Sequence, residues 1–231
     1  MTKDAWEEEG FAKSWDAVNA ARDNPDRANQ LDLLITLLEG MRPDDGWLLD
    51  LGSGSGQVET LIFERIPHAR VVCLDNSEEM LKLASGRLSA FEGRYHPLPG
   101  DMNDLEGVEF PHAPYSAVFS SQALHEITHE SKQAVYQKVY GLLHSGGAFY
   151  ILDRIESRFD DLPDEYECVW NRLNRRLDAP MTFNEYRERY DAKKDYPAGL
   201  DEQLGWLKVA GFLAAPLYLH FNRALIAARK L

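Results

Sequence analysis

A carboxylate followed by three alternating glycines is the part of the sequence with the clearest chemical meaning. Asp50 lies in an apolar run, and Gly52, Gly54 and Gly56 follow it. Glycine has no Cβ, so a loop of this composition turns tightly and brings its backbone against a ligand. Dinucleotide-binding loops space their glycines differently, as G-x-G-x-x-G, around a pyrophosphate. The carboxylate before the turn instead suits a ligand that carries a positive charge.

A second acidic residue, Asp75, ends the next apolar run, residues 71–74. In a doubly wound fold, an acid at about this distance from the glycine loop accepts hydrogen bonds from a ribose. The alternative is an acid at a helix N-terminus, where the helix dipole stabilises negative charge. Taken with the glycine loop, Asp75 favours a ribose contact.

Further motifs along the chain give a family resemblance. Gly100-Asp101-Met102 follows a proline-rich stretch, and the apolar run after it ends in Ser121-Gln122. A helix end written Leu143-His144-Ser145-Gly146-Gly147 precedes another apolar run, and Ala210-Gly211-Phe212 lies near the C-terminus. Together with the glycine loop and Asp75, these motifs resemble the class I S-adenosylmethionine-dependent methyltransferases.

The resemblance implies S-adenosylmethionine as the cofactor and a methyl acceptor as the second substrate. It places Asp75 at the ribose and Asp101 at the adenine amino group, although Asp101 also suits an acidic turn in a stretch rich in helix and strand breakers. The cofactor-binding positions that it implies are Asp50, Gly52, Ser53, Gly54, Gly56, Asp75, Asn76, Met80, Asp101, Met102, Ser121 and Gln122.

Two residues that follow the apolar run 116–121 are candidates for acting on the acceptor. This run resembles the fourth strand of the family's fold. His125 lies where the resemblance places the transferred methyl, and a neutral imidazole can take a proton from a phenol, alcohol or amine. Glu126 is the second candidate for this base. The alternative for His125 is a structural histidine bonded to backbone, and many methyl transfers rely on alignment more than on a strong base.

Residues 125–129 also match H-E-x-x-H, the zinc-binding pattern of many metallopeptidases. That chemistry needs His125 and His129 on one face of a helix, together with a third ligand. No third histidine follows at a suitable spacing, and Thr128 suits an N-cap that would separate the two histidines at a helix start. We therefore expect no metal at this motif.

Strand and helix patterns alternate along the chain, and these elements must position the residues above. Apolar patterns predict the strands 47–51, 70–74, 116–121 and 147–152, and the helices 11–22, 26–39, 56–65, 77–91 and 131–143. This order predicts an α/β fold with a doubly wound parallel sheet that binds ligands at the carboxyl ends of its strands. The resemblance implies a final helix over 203–212 and two last strands over 217–221 and 224–228. It also implies that the sheet has seven strands and is mostly parallel. A length of 231 residues fits a single domain over residues 1–231.

Two segments resemble the family only weakly. Residues 1–45 are expected to form N-terminal helices, and residues 154–199 a helical cap over the substrate. Aromatic side chains there would stack on the acceptor, and an arginine would hold a carboxylate or phosphate. The alternative for the cap is an amphipathic helix with core aromatics and a solvated arginine stripe. The candidate substrate contacts are Trp15, Trp170, Arg172 and Tyr186.

The composition limits the partners. The net charge is −13, whereas nucleic-acid binders usually present a basic face, so we expect a small-molecule acceptor and no nucleic acid. No apolar run is long enough to span a membrane. The N-terminus lacks the apolar stretch of a signal peptide and the chain has 2 cysteines, which indicate the cytoplasm. The sequence does not indicate an oligomeric state.

Two other functions are compatible with these motifs. A chain with this pocket could bind the cofactor without catalysis, as a sensor or partner subunit, and a usable base near the methyl argues against that. Residues 74–77 and 219–222 also resemble the bacterial carboxy-S-adenosylmethionine synthases, which hold an extra carboxylate with an arginine in the last helix. The matching position here is Trp206. We therefore expect ordinary S-adenosylmethionine and methyl transfer to oxygen or nitrogen.

Overall fold

The structure is a computed structural model that describes residues 24–41, 46–177, 180–192 and 195–231. The expected helix over residues 11–22, and Trp15 with it, lies outside these residues. No helix in the described part is long and apolar enough to cross a membrane. The elements in chain order are α1 Arg27–Gly40, β1 Trp47–Leu51, α2 Gln57–Arg65, β2 Arg70–Asp75, α3 Glu78–Arg87, β3 Tyr95–Pro99, β4 Tyr115–Ser121, α4 His129–Leu142, β5 Leu143–Arg154, α5 Pro163–Asn174, α6 Phe183–Ala192, α7 Leu200–Val209, β6 Leu213–His220 and β7 Arg223–Arg229.

The strands form one seven-stranded sheet in the order β3-β2-β1-β4-β5-β7-β6. The first five strands in this order pair in parallel, and β7 is antiparallel to both β5 and β6. The expected doubly wound, mostly parallel sheet is therefore confirmed. The chain order reverses between β1 and β4, so the carboxyl ends of these two strands meet at the point where such sheets bind ligands.

Side chains of the central strands pack on both faces of the sheet. On one face, Leu34 of α1 and Ile62 of α2 share a cluster with Leu48 of β1. On the other face, Val135 of α4 packs in a second cluster with Val118 of β4. Helices cover both faces, which explains why these strands read as continuous apolar runs rather than alternating ones.

The strand β3 was missed by the sequence prediction. Pro97 and Pro99 lie within it, and proline normally argues against a strand. β3 is the edge strand beyond β2, and proline is tolerated at an edge because that side of the ladder needs no N–H donor. Other boundaries differ by a few residues, since β5 begins at Leu143 and β6 at Leu213.

The segment expected to form a cap contains α5 and α6, which pack around an aromatic cluster of their own. It leaves the sheet after β5 and returns to it at the same place. Ile155 pairs with Ala198 in a parallel bridge, and the Glu156 N–H donates to the Ala198 carbonyl at 3.0 Å. The two ends of the segment are therefore in contact.

Candidate active site

A pocket opens at the carboxyl ends of β1, β2 and β4. It is lined by every expected cofactor position except Gly56, and also by Glu126. Most of its other residues are chain neighbours of the expected ones, with Arg27 as the exception. The expected residues in its wall are Asp50, Gly52, Ser53, Gly54, Asp75, Asn76, Met80, Asp101, Met102, Ser121 and Gln122, and the unexpected ones are Arg27, Ser55, Gln57, Val58, Leu74, Gly100, Asn103, Ala123 and Ile127.

The glycine loop is pinned against the end of β2. Gly52 has φ of 80° and its N–H donates to the Leu74 carbonyl at 2.8 Å. A Cβ at Gly52 would lie 2.3 Å from the Cβ of Ala123, so only glycine lets this loop approach the turn after β4. Gly54 has φ of 56°, and its N–H donates to Asp75 Oδ2 at 2.8 Å.

Asp75 organises both the loop and the next helix. Besides Gly54, it binds the Ser77 N–H, which donates to Oδ1 at 2.9 Å. Ser77 then caps α3, because its hydroxyl accepts from the Met80 N–H as the sequence predicted. Burial raises the pKa of Asp75, and the N–H groups of Ser77 and Gly54 oppose that rise. The carboxylate thus lines the pocket in a fixed orientation.

Gly56 is a correction to the expected cofactor positions. It begins α2 with φ of 78°, and a Cβ there would lie 3.2 Å from both Cα and Cβ of Ala84. The third glycine of the loop therefore allows α2 to pack closely against α3. The described pocket does not include it.

Asp50 lies at the base of the pocket and is 1% exposed. The neighbouring carboxylate is Glu59 of α2, which is fully buried and which no sequence pattern singled out. Burial raises the pKa of Asp50 well above its usual range, and the negative charge of Glu59 raises it further. The two side chains hydrogen-bond to each other, and burial raises the pKa of Glu59 as well.

Asp101 lines the pocket and also forms the acidic turn that the sequence left as an alternative. Its Oδ1 accepts from both the backbone N–H and the side-chain amide of Asn103, at 2.9 and 3.0 Å. Met102 approaches Gly52, since its Cε would lie 3.4 Å from a Cβ built there. The turn therefore presents an acidic and an apolar side chain on the same wall.

His125 is not placed to act on an acceptor, which corrects the expectation that it is the base. The residue is 4% exposed and does not line the pocket. Its Nδ1 lies 2.5 Å from Asp153 Oδ1, and its backbone N–H donates to Asp153 Oδ2 at 2.9 Å. Burial lowers the pKa of His125, so the ring is neutral and donates from Nδ1 to the carboxylate. This arrangement agrees with the alternative of a structural histidine, except that the ring bonds the Asp153 side chain and not the backbone.

Glu126, the second candidate base, does line the pocket. Its side chain is also exposed. Burial raises the pKa of Glu126 to about 7, and the negative charges of Asp195, Asp153 and Asp75 contribute to the rise. A carboxylate with this pKa exists in both protonation states near neutral pH, which suits proton transfer.

The turn that carries Glu126 is held from several sides. Within the turn, the Glu126 N–H donates to the Ala123 carbonyl at 3.1 Å. The His125 carbonyl accepts from the Tyr196 N–H at 2.7 Å. The ammonium of buried Lys132 donates to the carbonyls of Ile127 and Tyr196, each at 2.5 Å. These bonds fasten the end of the cap segment to the turn and fix its backbone.

The three described candidates for substrate contact lie away from the pocket wall. Trp170 is fully buried and stacks on Tyr186, with ring centroids 4.1 Å apart. Its indole N–H donates to the Met181 carbonyl at 3.0 Å, and the Tyr186 hydroxyl accepts from Asn222 at 2.8 Å. Arg172 is exposed on α5. This corrects the expectation for the two aromatics, which form the core of the cap segment as in the alternative interpretation.

Arg27 is the wall residue that sequence reasoning missed most completely. It is the first residue of α1 and the only basic side chain among the described residues that line the pocket. The preceding residue, Asp26, is buried and binds Tyr218 of β6 and Arg176 at the end of α5. The start of α1 is thereby fixed beside the pocket. Its N-terminal position in the helix carried no motif that would have identified it.

The H-E-x-x-H motif does not lie on one helix. Thr128 caps α4, with its hydroxyl accepting from the Ser131 N–H at 3.2 Å, so the predicted N-cap is confirmed. His125 precedes this cap, whereas His129 lies in α4 and packs on Trp206 with ring centroids 5.3 Å apart. Within the described ranges, no three histidine, cysteine or acidic side chains are grouped as a metal site requires.

Residues 48–147 match a protein-family model described as a methyltransferase domain. The carboxy-S-adenosyl-L-methionine synthase of Campylobacter lari is 23% identical over 194 residues, which cover 83% of this chain and 80% of the relative. The trans-aconitate 2-methyltransferase of Streptomyces avermitilis is 40% identical over 72 residues, covering 31% of this chain and 27% of the relative.

The fold matches that of solved methyltransferase structures. An O-methyltransferase family protein from Burkholderia thailandensis superimposes with a TM-score of 0.68 and 17% identity, covering 98% of this chain and 63% of that one. The chain thus spans less than two thirds of that longer protein. The glycine loop, the acid after β2 and the turn after β4 all lie within or next to the matched residues 48–147.

Proposed function

We propose that this chain, a class I S-adenosylmethionine-dependent methyltransferase, transfers a methyl group to an oxygen or nitrogen atom of a small molecule, with Glu126 as the general base. The observation that carries the proposal is the Glu126 carboxyl in the pocket wall, with a pKa of about 7. The same pocket contains the glycine loop and Asp75.

The pocket residues fit this cofactor. Gly54 leaves open space in which a ligand can approach the backbone, and the buried Asp50 Oδ1 and Ser121 Oγ have no hydrogen-bond partner among the described residues. Buried polar atoms of this kind normally acquire a partner, which a bound ligand would supply. We assign the ribose to Asp75 and the adenine to the turn of Asp101.

The electrophile in this reaction is the sulfonium-bound methyl group that S-adenosylmethionine supplies. The protein has to hold the acceptor atom in line with that methyl and remove its proton. Glu126 in its ionised form accepts the proton from the acceptor O–H or N–H, and becomes neutral as the acceptor gains the methyl. It then returns the proton to solvent through the open pocket. His125 contributes by fixing the backbone of the turn through Asp153.

An acceptor screen tests the proposal directly. The protein is incubated with S-adenosylmethionine and panels of phenols, alcohols, carboxylic acids and amines, and methylated products are identified by mass spectrometry. Product formation with an oxygen or nitrogen acceptor, reduced in Glu126→Gln, supports the assignment. Cofactor binding without transfer to any panel member would favour the alternative of a sensor or partner subunit.

A second candidate function follows from the Campylobacter lari relative, which matches the largest share of the chain among the relatives described above. In this reading the protein would form or bind carboxy-S-adenosylmethionine. Trp206, which occupies the position expected for a carboxylate-binding arginine, packs on His129 rather than lining the described pocket. Competitive titration of S-adenosylmethionine against its carboxylated form distinguishes the two, and tighter binding of the carboxylated form would favour the synthase.

A further inference from the structure

We propose that Glu59 is a positioning residue of the cofactor site that acts through Asp50: the two carboxyl groups share one proton in the free protein, and the positively charged methionine end of the cofactor displaces it. Glu59 does not line the pocket itself. The inference depends on cofactor binding and is independent of the acceptor and of Glu126.

The geometry leaves this pair of acids without other neutralisation. Asp50 is 1% exposed and Glu59 is fully buried, so neither charge is solvated by water. Asp50 Oδ1 and Glu59 Oε2 have no hydrogen-bond partner among the described residues. Two adjacent ionised carboxylates in such a place would be very costly, and one shared proton removes most of that cost.

Among the described residues, the side chains named here that face the pair from neighbouring strands carry no positive charge. From β2, the Cys73 thiol lies 3.6 Å from Glu59 Oε1, and Asp75 adds a further negative charge. From β3, burial raises the pKa of the Tyr95 phenol, and electrostatic interactions with Cys73, Glu59 and Asp75 raise it further. Arg27 lines the same pocket. With one shared proton the pair carries a single negative charge, and the pocket side of Asp50 is where a cationic ligand can take the place of that proton.

When the cofactor binds, its positive charge replaces the proton that Asp50 and Glu59 share. The ammonium group of the methionine end carries its proton throughout and approaches the Asp50 side of the pocket. The proton shared by Asp50 and Glu59 passes to solvent, leaving two carboxylates beside one bound cation. Because binding and proton release are linked, cofactor affinity must rise with pH over the range in which the free pair is protonated. The slope is at most about tenfold per pH unit for one proton.

Calorimetry measures this proton directly. S-adenosylhomocysteine, which retains the ammonium group, is titrated into the protein at several pH values in buffers of different ionisation enthalpy. We expect the wild-type protein to release a large fraction of one proton near neutral pH. The neutral analogue methylthioadenosine should bind without comparable release. No release with S-adenosylhomocysteine between pH 6 and 9, or equal release with both ligands, would overturn the proposal.

Variants test whether the released proton comes from Asp50 and Glu59. In Glu59→Gln the amide donates to an ionised Asp50, so release should be lost and affinity should become independent of pH. Glu64→Gln, an exposed change on the same helix, should behave as wild type. Because Glu126 also titrates near neutral pH, Glu126→Gln is measured in parallel and should retain the release. Release that persists in Glu59→Gln, or is lost in Glu126→Gln, would contradict the proposal. If Glu59→Gln does not fold, the two-ligand comparison on the wild-type protein decides.

Discussion

Asp153 binds His125 twice, once through the ring and once through the backbone. One carboxylate oxygen lies 2.5 Å from Nδ1 and the other accepts from the backbone N–H at 2.9 Å. His125 opposes the burial effect on Asp153 and keeps the pKa of that carboxyl below its usual value, so the pair is a neutral imidazole donating to a carboxylate. The next residue along the chain is Glu126. The histidine that suggested catalysis by its position thus orients its neighbour.

Replacing Glu126 by glutamine should remove the base while keeping the shape of the turn. Turnover should fall by roughly 10²–10⁴-fold, the usual contribution of a positioned general base. In the wild-type protein the rate should rise with pH through about 7, because the base acts in its ionised form. Steady-state kinetics against pH would show both effects. Glu130→Gln, an exposed change in the next helix, is the matched control, and a Glu126→Gln enzyme with normal turnover and pH profile would exclude this role.

Replacing His125 by alanine should affect stability first. The change leaves the buried Asp153 carboxylate without its main partner, at a cost of roughly 3 kcal/mol of unfolding free energy. His125→Asn retains a side-chain donor and should recover part of the loss. Denaturant unfolding measures both variants. An alanine variant as stable as wild type but inactive would return His125 to a role in catalysis.

Acidification should destabilise the protein partly through His125. The folded-state pKa of this residue lies below its ordinary 6.5, so the unfolded chain binds a proton that the folded protein does not. The stability from the neutral ring is therefore present above about pH 6.5 and is lost as the pH falls below that value. Unfolding free energies measured from pH 7.5 to 5 should decrease more steeply for wild type than for His125→Asn. Parallel curves for the two proteins would contradict the assignment.

The ribose assignment predicts a loss of cofactor affinity in Asp75→Ala. Removing a charged acceptor should cost about 1.5–3 kcal/mol of binding free energy, and the freed Gly54 N–H would add to the loss. Isothermal titration with S-adenosylhomocysteine gives the value. Asp104→Ala removes an exposed acid outside the pocket wall and should leave binding unchanged. Equal affinity in Asp75→Ala and wild type would overturn the assignment.

The two glycines of the loop that line the pocket, Gly52 and Gly54, should respond differently to alanine. In Gly52→Ala the new Cβ would lie 2.3 Å from Ala123, so the loop or the turn after β4 has to move. In Gly54→Ala nothing lies within 4 Å, and the cost is the positive φ alone, about 1–2 kcal/mol. Cofactor titration should therefore show the greater loss for Gly52→Ala. Gly86→Ala, in a helix with open space around it, should bind normally. A Gly52→Ala protein with normal affinity would contradict the close approach.

The sequence predicted the features of the site that depend on a single strand, loop or helix. Local patterns identified the acids near the ends of β1 and β2, Asp50 and Asp75, together with the glycine loop and the cap at Ser77. The parallel pairing of β1 and β2 then brings these features together. β3 was missed because its prolines are allowed only at a sheet edge, and edge position is a property of the whole sheet.

Side-chain direction was less accessible from the sequence. His125 and Glu126 are adjacent in a short turn, and no periodicity indicates which of them faces the pocket. Trp170 and Tyr186 lie at positions equally suited to a binding surface or to a core, and only the packing of α5 against α6 decides. Glu59 is buried because it lies on the face of α2 that meets the sheet. The sequence did not predict this, because acidic side chains are rarely fully buried.

The cap segment begins and ends at one point, where Ile155 pairs with Ala198. A loop whose ends already touch can be lengthened, shortened or exchanged without pulling on the strands that carry it. The cofactor pocket is built from β1, β2 and β4, none of which is interrupted by this segment. The segment can therefore be exchanged as a separate module, provided that Tyr196 remains to hold the turn that carries Glu126.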